Sequence, residues 1–212
     1  MDDFLVSRTK VKTVSILSLE AFKRFAAKYV DIPVKDWEII SRSFRRRELP
    51  PNYNLLEQGQ VCKNLYFLES GLLRFFVIKE GIEMTKFFTI APYCFTSQVS
   101  FNSGRRANEY IQSIESSVVW ETTFQENEEL LKLDSWNHFA RKITQEVQFF
   151  TEEILEELQS ETAENRYQRL LDNQPEMLRR IPLKHLASFF GVAPQSLSRI
   201  RKKLASQKQN LT

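Results

Sequence analysis

The sequence predicts an α+β chain: N-terminal helices, a β region, one long helix and a C-terminal helix-turn-helix. Three observations carry this. Residues 52 to 124 hold short apolar stretches separated by turn signals, the pattern of a barrel or sandwich. After Thr123 the apolar spacing lengthens to that of a helix. Near the C-terminus two apolar faces flank a glycine on a basic background, as expected where two helices meet at a tight turn.

The first region reads as helical. Leu17, Phe22, Phe25 and Tyr29 are spaced near the helical period, and Trp37, Ile40 and Phe44 continue it after Pro33. Ser18, two residues before Glu20, is a candidate cap. Leu49-Pro50-Pro51 ends the region, because proline pushes the residue before it out of the α conformation. The expected strands are Tyr53 to Leu56, Leu65 to Leu68, Leu72 to Ile78, Met84 to Ile90, Tyr110 to Ile114 and Val118 to Trp120. Gly59, Gly71, Gly81 and Gly104 fall at turns between them. Phe67, Phe75, Phe76, Phe87, Phe88, Phe95 and Phe101 are expected to fill the interior.

A long helix is expected over roughly 125 to 160. Trp136, Ala140, Ile143, Val147, Phe150 and Ile154 recur at spacings of 4, 3, 4, 3 and 4, a coiled-coil seam. Such a seam either packs on its own barrel or pairs with a second copy. The second is expected, because a long helix beyond the β region has little of its own chain to cover it. Glu152, Glu153, Glu156, Glu157 and Glu161 line the helix beside the seam. A further helical piece, 162 to 174, is punctuated by Pro175 and Pro182. The expected units are 1–124, 125–160 and 161–212.

The run from Ile181 to Leu204 reads as helix, turn, helix. Leu183, Leu186, Ala187 and Phe190 share one apolar face, and Leu197, Ile200 and Leu204 share the other. Gly191 supplies the positive φ of the turn, and Pro194 suits the first turn of the second helix. A second helix of this kind lies in the DNA major groove. Its expected DNA-contacting residues are Gln195, Ser196, Ser198, Arg199, Arg201, Lys202 and Lys203. Gln195 suits adenine N6/N7 and Arg199 suits guanine O6/N7, while Arg201, Lys202, Lys203 and the serines suit phosphates. The alternative is an ordinary αα-hairpin with a solvated basic face.

Charge agrees with a nucleic-acid partner. The chain's net charge is +3, but residues 176–212 carry eight Lys/Arg against one acid, a net +7, and the rest carries −4. The 2 Cys and 2 His among 212 residues exclude a four-cysteine iron–sulfur site and a multi-histidine metal centre. Cys62 and Cys94 read as small buried apolar residues in a reducing compartment. No apolar run approaches a membrane span, and Met1-Asp2-Asp3 does not open a signal peptide, so the cytoplasm is expected. A metal-dependent oxygenase on a β barrel needs clustered His ligands, and residues 52–124 contain no His. An enzyme is therefore not expected, nor is a cofactor.

On these residues the chain resembles the Crp/Fnr family of bacterial transcription regulators. Leu65-Tyr66-Phe67-Leu68-Glu69-Ser70-Gly71-Leu72-Leu73-Arg74 is similar to the central hairpin of its cyclic-nucleotide-binding jelly roll. The long helix and C-terminal segment are similar to its dimerisation helix and DNA-binding domain. Ser-Leu-Ser-Arg-Ile-Arg-Lys (196–202) and Glu-Asn-Arg-Tyr-Gln-Arg-Leu-Leu (164–171) look most like Bacteroidetes members. The resemblance implies a jelly roll (cyclic-nucleotide-binding-like), a helix-turn-helix with little or no wing, a homodimer on a pseudo-palindromic operator, and RNA polymerase as a partner.

Two departures concern the effector. Where the family's cyclic-AMP sites have a Phe-Gly-Glu run, this chain has Tyr93-Cys94-Phe95-Thr96-Ser97-Gln98. Where they have Pro-Arg, it has Arg105-Arg106-Ala107-Asn108, and the phosphate arginine falls on Ala107. The resemblance leaves Ser97, Arg105, Arg106 and Asn108 as the possible effector pocket. Arg105 or Arg106 either binds an anion or is a solvated loop residue. The expectation is an unknown effector other than cyclic AMP. Alternatives are a cyclic-nucleotide-responsive regulator using Arg105/Arg106, and a protein-interaction module that has lost DNA binding.

Overall fold

The computed structural model describes residues 19–209, so Leu17 and Ser18 lie outside the described residues. Among the described residues, eight strands form two antiparallel four-stranded sheets packed as a jelly-roll-like sandwich. The strands are β1 Arg45–Leu49, β2 Asn54–Leu56, β3 Asn64–Ser70, β4 Leu72–Lys79, β5 Ile82–Ile90, β6 Tyr93–Phe95, β7 Tyr110–Ser113 and β8 Ser117–Thr123. One sheet has the order β1-β8-β3-β6 and the other β2-β7-β4-β5. Helices α1 (Glu20–Ala26) and α2 (Val34–Arg42) precede the strands, and the short α3 (Gln98–Ser103) lies between β6 and β7. After β8 come α4 (Phe124–Leu130), α5 (Asp134–Ser160), α6 (Ala163–Asn173), α7 (Pro175–Arg180), α8 (Leu183–Phe190) and α9 (Pro194–Gln209).

Three apolar layers hold these parts together. The sandwich interior contains Leu49, Leu55, Leu68, Leu73, Phe75, Phe95, Phe101, Ile111 and Val119. On the outer face of β1-β8-β3-β6, Phe67 and Trp120 meet Phe22, Phe25, Trp37, Trp136 and Phe139 from α1, α2 and α5. On the outer face of β2-β7-β4-β5, Leu72, Phe88 and Ile114 meet Tyr167, Leu178, Leu186 and Phe190 from α6, α7 and α8. Each sheet therefore packs on both faces, with the far ends of β4 and β5 left exposed. Period-two alternation places successive side chains on opposite faces, so the phenylalanines divide among layers. Phe75, Phe87, Phe95 and Phe101 face the interior as expected, whereas Phe67 and Phe88 face outward onto helices.

The β3–β4 turn requires its glycine. Gly71 has φ +107°, and a Cβ there would lie 2.1 Å from Ser117 Oγ.

Three sequence expectations are corrected. The helical reading through Phe44 to Leu49 fails after Arg42, and 45–49 is strand β1. Its Arg45-Arg46-Arg47 run carries no strand pattern. It pairs with β8 from Arg45↔Glu121 to Leu49↔Ser117, and Arg45 bonds the Glu126 carboxylate at 2.8 and 2.5 Å. The second correction is β6, too short to show alternation. It pairs with β3 through Tyr66↔Phe95, Phe67↔Cys94 and Leu68↔Tyr93. The third is the long helix, which breaks into α4 and α5. Thr123 caps α4 in a reciprocal capping box with Glu126. Hydrogen-bonding by Arg45 holds the Glu126 carboxyl down at about 2, aided by Thr123. Among the described residues, no helix is long and apolar enough to cross a membrane.

Candidate nucleic-acid interface and effector pocket

Helices α8 and α9 meet at Gly191, which has φ +68°. The amides of Gly191 and Val192 donate to the Ser188 and Ala187 carbonyls and close the end of α8. Leu186, Ala187, Phe190 and Leu197 are each 2% exposed or less. Burying Leu197 alone contributes about 1.5–3 kcal/mol. Ala187 is small enough for the close approach of the two helices. Within the 164–171 run, Arg166 Nη2 donates to the Phe190 carbonyl at 2.7 Å, and Tyr167 packs edge-on against Phe190. That run therefore carries the scaffold of the pair.

The opposite face of α9 is open. Gln195, Ser196, Ser198, Arg199, Arg201, Lys202 and Lys203 are all exposed. Lys203 is engaged with Glu164 at 2.7 Å. Among the described residues, Arg199, Arg201 and Lys202 form no ion pair. The structure thus brings the expected residues onto one basic helical surface, with Lys203 partly committed elsewhere.

The seam of α5 is divided. Trp136 is 1% exposed, its Nε1 donates to Asn127 Oδ1 at 3.1 Å, and its ring meets Phe22 and Phe139. It belongs to its own chain's core, so its place in a dimer interface is corrected. Ala140 and Ile143 are half-buried, and Ile143 packs against that same core. Val147 and Ile154 are half-buried and Phe150 is 44% exposed. Leu155 and Leu158, overlooked by the spacing argument, are 55% and 56% exposed. The first half of the seam covers its own sandwich, and in the second half Phe150, Leu155 and Leu158 are exposed.

The four expected effector residues differ in exposure. Arg105, Arg106 and Asn108 are exposed, and Arg106 donates to the Gly59 carbonyl at 3.1 Å. Ser97 is only 2% exposed. It donates to Glu109 Oε1 at 2.8 Å, while Lys86 holds the other Glu109 oxygen at 2.5 Å. Ser97 is thus held by Glu109 inside the roll. Ala107 is buried, its carbonyl and amide bonded to Gly59 and Gln60. The adjoining interior is filled by rings: Tyr66 stacks on Phe95, and Phe75 stacks on Phe87 with centroids 4.3 Å apart.

The least expected cluster lies between the sandwich and the helix-turn-helix. Arg74 on β4 is 1% exposed. Its Nη2 donates to Glu83 Oε2 at 2.7 Å and to Gln112 Oε1 at 3.2 Å. Its Nη1 meets His185 Nδ1 on α8, and the guanidinium lies 3.8 Å from the Phe76 ring centroid. Burial lowers the His185 pKa to about 4, and Arg74 and Lys184 add to that, so the ring is neutral at physiological pH. Ser188 Oγ donates to the Glu83 carbonyl at 2.8 Å and accepts from the Thr85 amide at 2.9 Å. No spacing in the sequence signals this group, because its members come from β4, β5, β7 and α8.

No family model matches the chain, and no curated protein matches it. Solved structures do. A crp/fnr-family transcriptional regulator from Eubacterium rectale is 13% identical, with a TM-score of 0.66 over 84% of this chain and 85% of that one. FixK2 from Bradyrhizobium japonicum is 17% identical, with a TM-score of 0.65 over 78% and 86%. A variant of CooA from Carboxydothermus hydrogenoformans is 14% identical, with a TM-score of 0.64 over 78% of each chain. The chain shares the overall fold of these regulators.

Proposed function

We propose that the chain is a sequence-specific DNA-binding transcription regulator of the Crp/Fnr type. The observation that carries this is the α8–α9 pair, with Gln195, Ser196, Ser198, Arg199, Arg201 and Lys202 exposed on one surface. The shared fold adds to it. In this reading residues 1–124 are the sensor, 125–160 the dimer helix and 161–212 the DNA-binding unit. Two copies pair through the second half of α5, from Val147 to Leu158. That sets two α9 helices roughly 34 Å apart, one turn of DNA, on a pseudo-palindromic operator. RNA polymerase is the further partner, the setting is the cytoplasm, and the role is regulatory rather than catalytic. The likeness to Bacteroidetes members rests on the two sequence runs alone.

The roll takes no cyclic AMP in this reading. Ala107 occupies the place the resemblance gives to the phosphate arginine, and aromatic rings fill the adjacent interior.

Selection of bound genomic DNA by the purified protein, with and without cyclic AMP, tests both parts. Enrichment of a two-fold symmetric motif, unchanged by cyclic AMP, is expected. Arg199→Ala should cost about 1–3 kcal/mol and relax specificity at one position, whereas Lys202→Ala should reduce the salt slope by about 1. Absence of enrichment at low salt favours a protein-interaction module. A strong cyclic-AMP response overturns the account of the roll.

A further inference from the structure

We propose that Arg74, Glu83 and His185 form a latch that fixes the orientation of the helix-turn-helix unit on the β2-β7-β4-β5 sheet, and that this orientation pairs the two DNA-binding units of a dimer. The second half of this statement rests on the function proposed above; the latch itself does not.

The argument starts from the position of a charge. Arg74 stands in the middle of β4, and α8 lies over it. Without the helix-turn-helix its guanidinium would face water. Docking removes that water, leaves Nε without a partner, and lowers the Arg74 pKa through burial. A purely apolar contact would avoid this desolvation cost, and buried ion groups are often less stabilising than apolar ones of similar volume. What the charged group provides is direction. Phe88 against Phe189 tolerates sliding. The hydrogen bonds from Arg74 to His185, from Thr85 to Ser188 and from Ser188 to Glu83 do not. Arg180, at 3.2 and 2.5 Å from Glu115 in the β7–β8 turn, adds a third fixed point. The outward face of α9 stays exposed while the latch is closed. The latch therefore positions the DNA-binding surface without covering it. Three charged groups act on His185: Arg74 on β4, Glu83 on β5 and Lys184 on its own helix.

The test uses the full chain carrying Arg74→Met. Two quantities are measured: amide hydrogen exchange, and affinity for duplexes with one or two copies of the selected half-site. Exchange in β4, β5 and α8 should rise together while β3 and β8 stay protected. Binding to the two-site duplex should weaken by about tenfold, a typical coupling between sites, with the one-site duplex essentially unchanged. Unchanged exchange in α8 would overturn the latch. Tighter two-site binding, or equal loss on both duplexes, would overturn the positioning role. If the wild-type protein binds no DNA, the exchange result still decides the latch, and only the regulator reading fails. Should Arg74→Met not fold, Ser188→Ala removes two of the directional bonds with little change of volume. It must then shift the same quantities in the same directions.

Discussion

The two sheets of the sandwich are covered on their outer faces by different chemistry. Over β1-β8-β3-β6 the cover is mainly aromatic: Phe22 alone meets Trp37, Phe44, Phe67, Trp136 and Phe139. Over β2-β7-β4-β5 the apolar contact of Leu72, Phe88 and Ile114 surrounds a buried arginine, a neutral histidine and a serine bridge. Water can replace every polar bond of the second cover but none of the ring contacts of the first. The first is thus a permanent part of the core. The second combines apolar contact with buried polar bonds, the mixed chemistry of an interdomain contact.

The largest test of that contrast is Phe22→Ala. It should destabilise the whole fold by about 3–5 kcal/mol, as loss of a buried ring does. Denaturant unfolding followed in the sandwich and in α8 should shift together. If α8 held its midpoint, the first cover would not be central.

A smaller effect is expected outside both covers. Phe150→Glu combined with Leu158→Glu should weaken self-association by about 2–4 kcal/mol, the scale of interface hot spots. The melting of the separate chain should hardly move. Sedimentation unaffected by this pair would exclude the second half of α5 as the dimer contact.

Acid distinguishes the two covers directly. His185 titrates at about 4 when docked, against an ordinary value of about 6.5. A released His185 takes up a proton below its ordinary value, but a docked one does not. Docking is therefore fully supported above about pH 6.5 and loses stability as pH falls toward about 4. Hydrogen exchange in α8, corrected for intrinsic rates, should rise over that window while β3 and β8 stay protected. His185→Gln should flatten this dependence.

The smallest effects lie at the β1 edge. Thr123→Ala removes a helix cap and should cost about 1 kcal/mol. Arg45→Ala breaks an exposed pair with Glu126 and should cost under about 1 kcal/mol. The Glu126 carboxyl is held low by Arg45, so its contribution is present above its ordinary value and disappears as pH falls toward about 2. Acid titration of Arg45→Ala against wild type should show that difference.

Legibility from sequence varied with how local each signal was. The helix-turn-helix was readable because its glycine, proline and apolar faces lie within 24 residues, 181–204. Strands β3, β4 and β5 were readable as long apolar stretches. Strand β1 was not, since its arginines pair with Glu126 and Glu121, distant in sequence. The seam of α5 was read with the right period but the wrong extent, because period alone does not say which half its own sandwich covers.

The sequence by itself determined the order of helices and most strands, the helix-turn-helix and the basic end. Each follows from residues a few positions apart, where spacing and backbone preference act directly. Only the tertiary structure decided that Trp136 belongs to the core, that Ser97 serves Glu109, and that rings fill the roll. It alone placed Arg74 beneath His185, 111 positions away. Burial and charge pairing depend on which surfaces meet across the fold, and no local pattern encodes that.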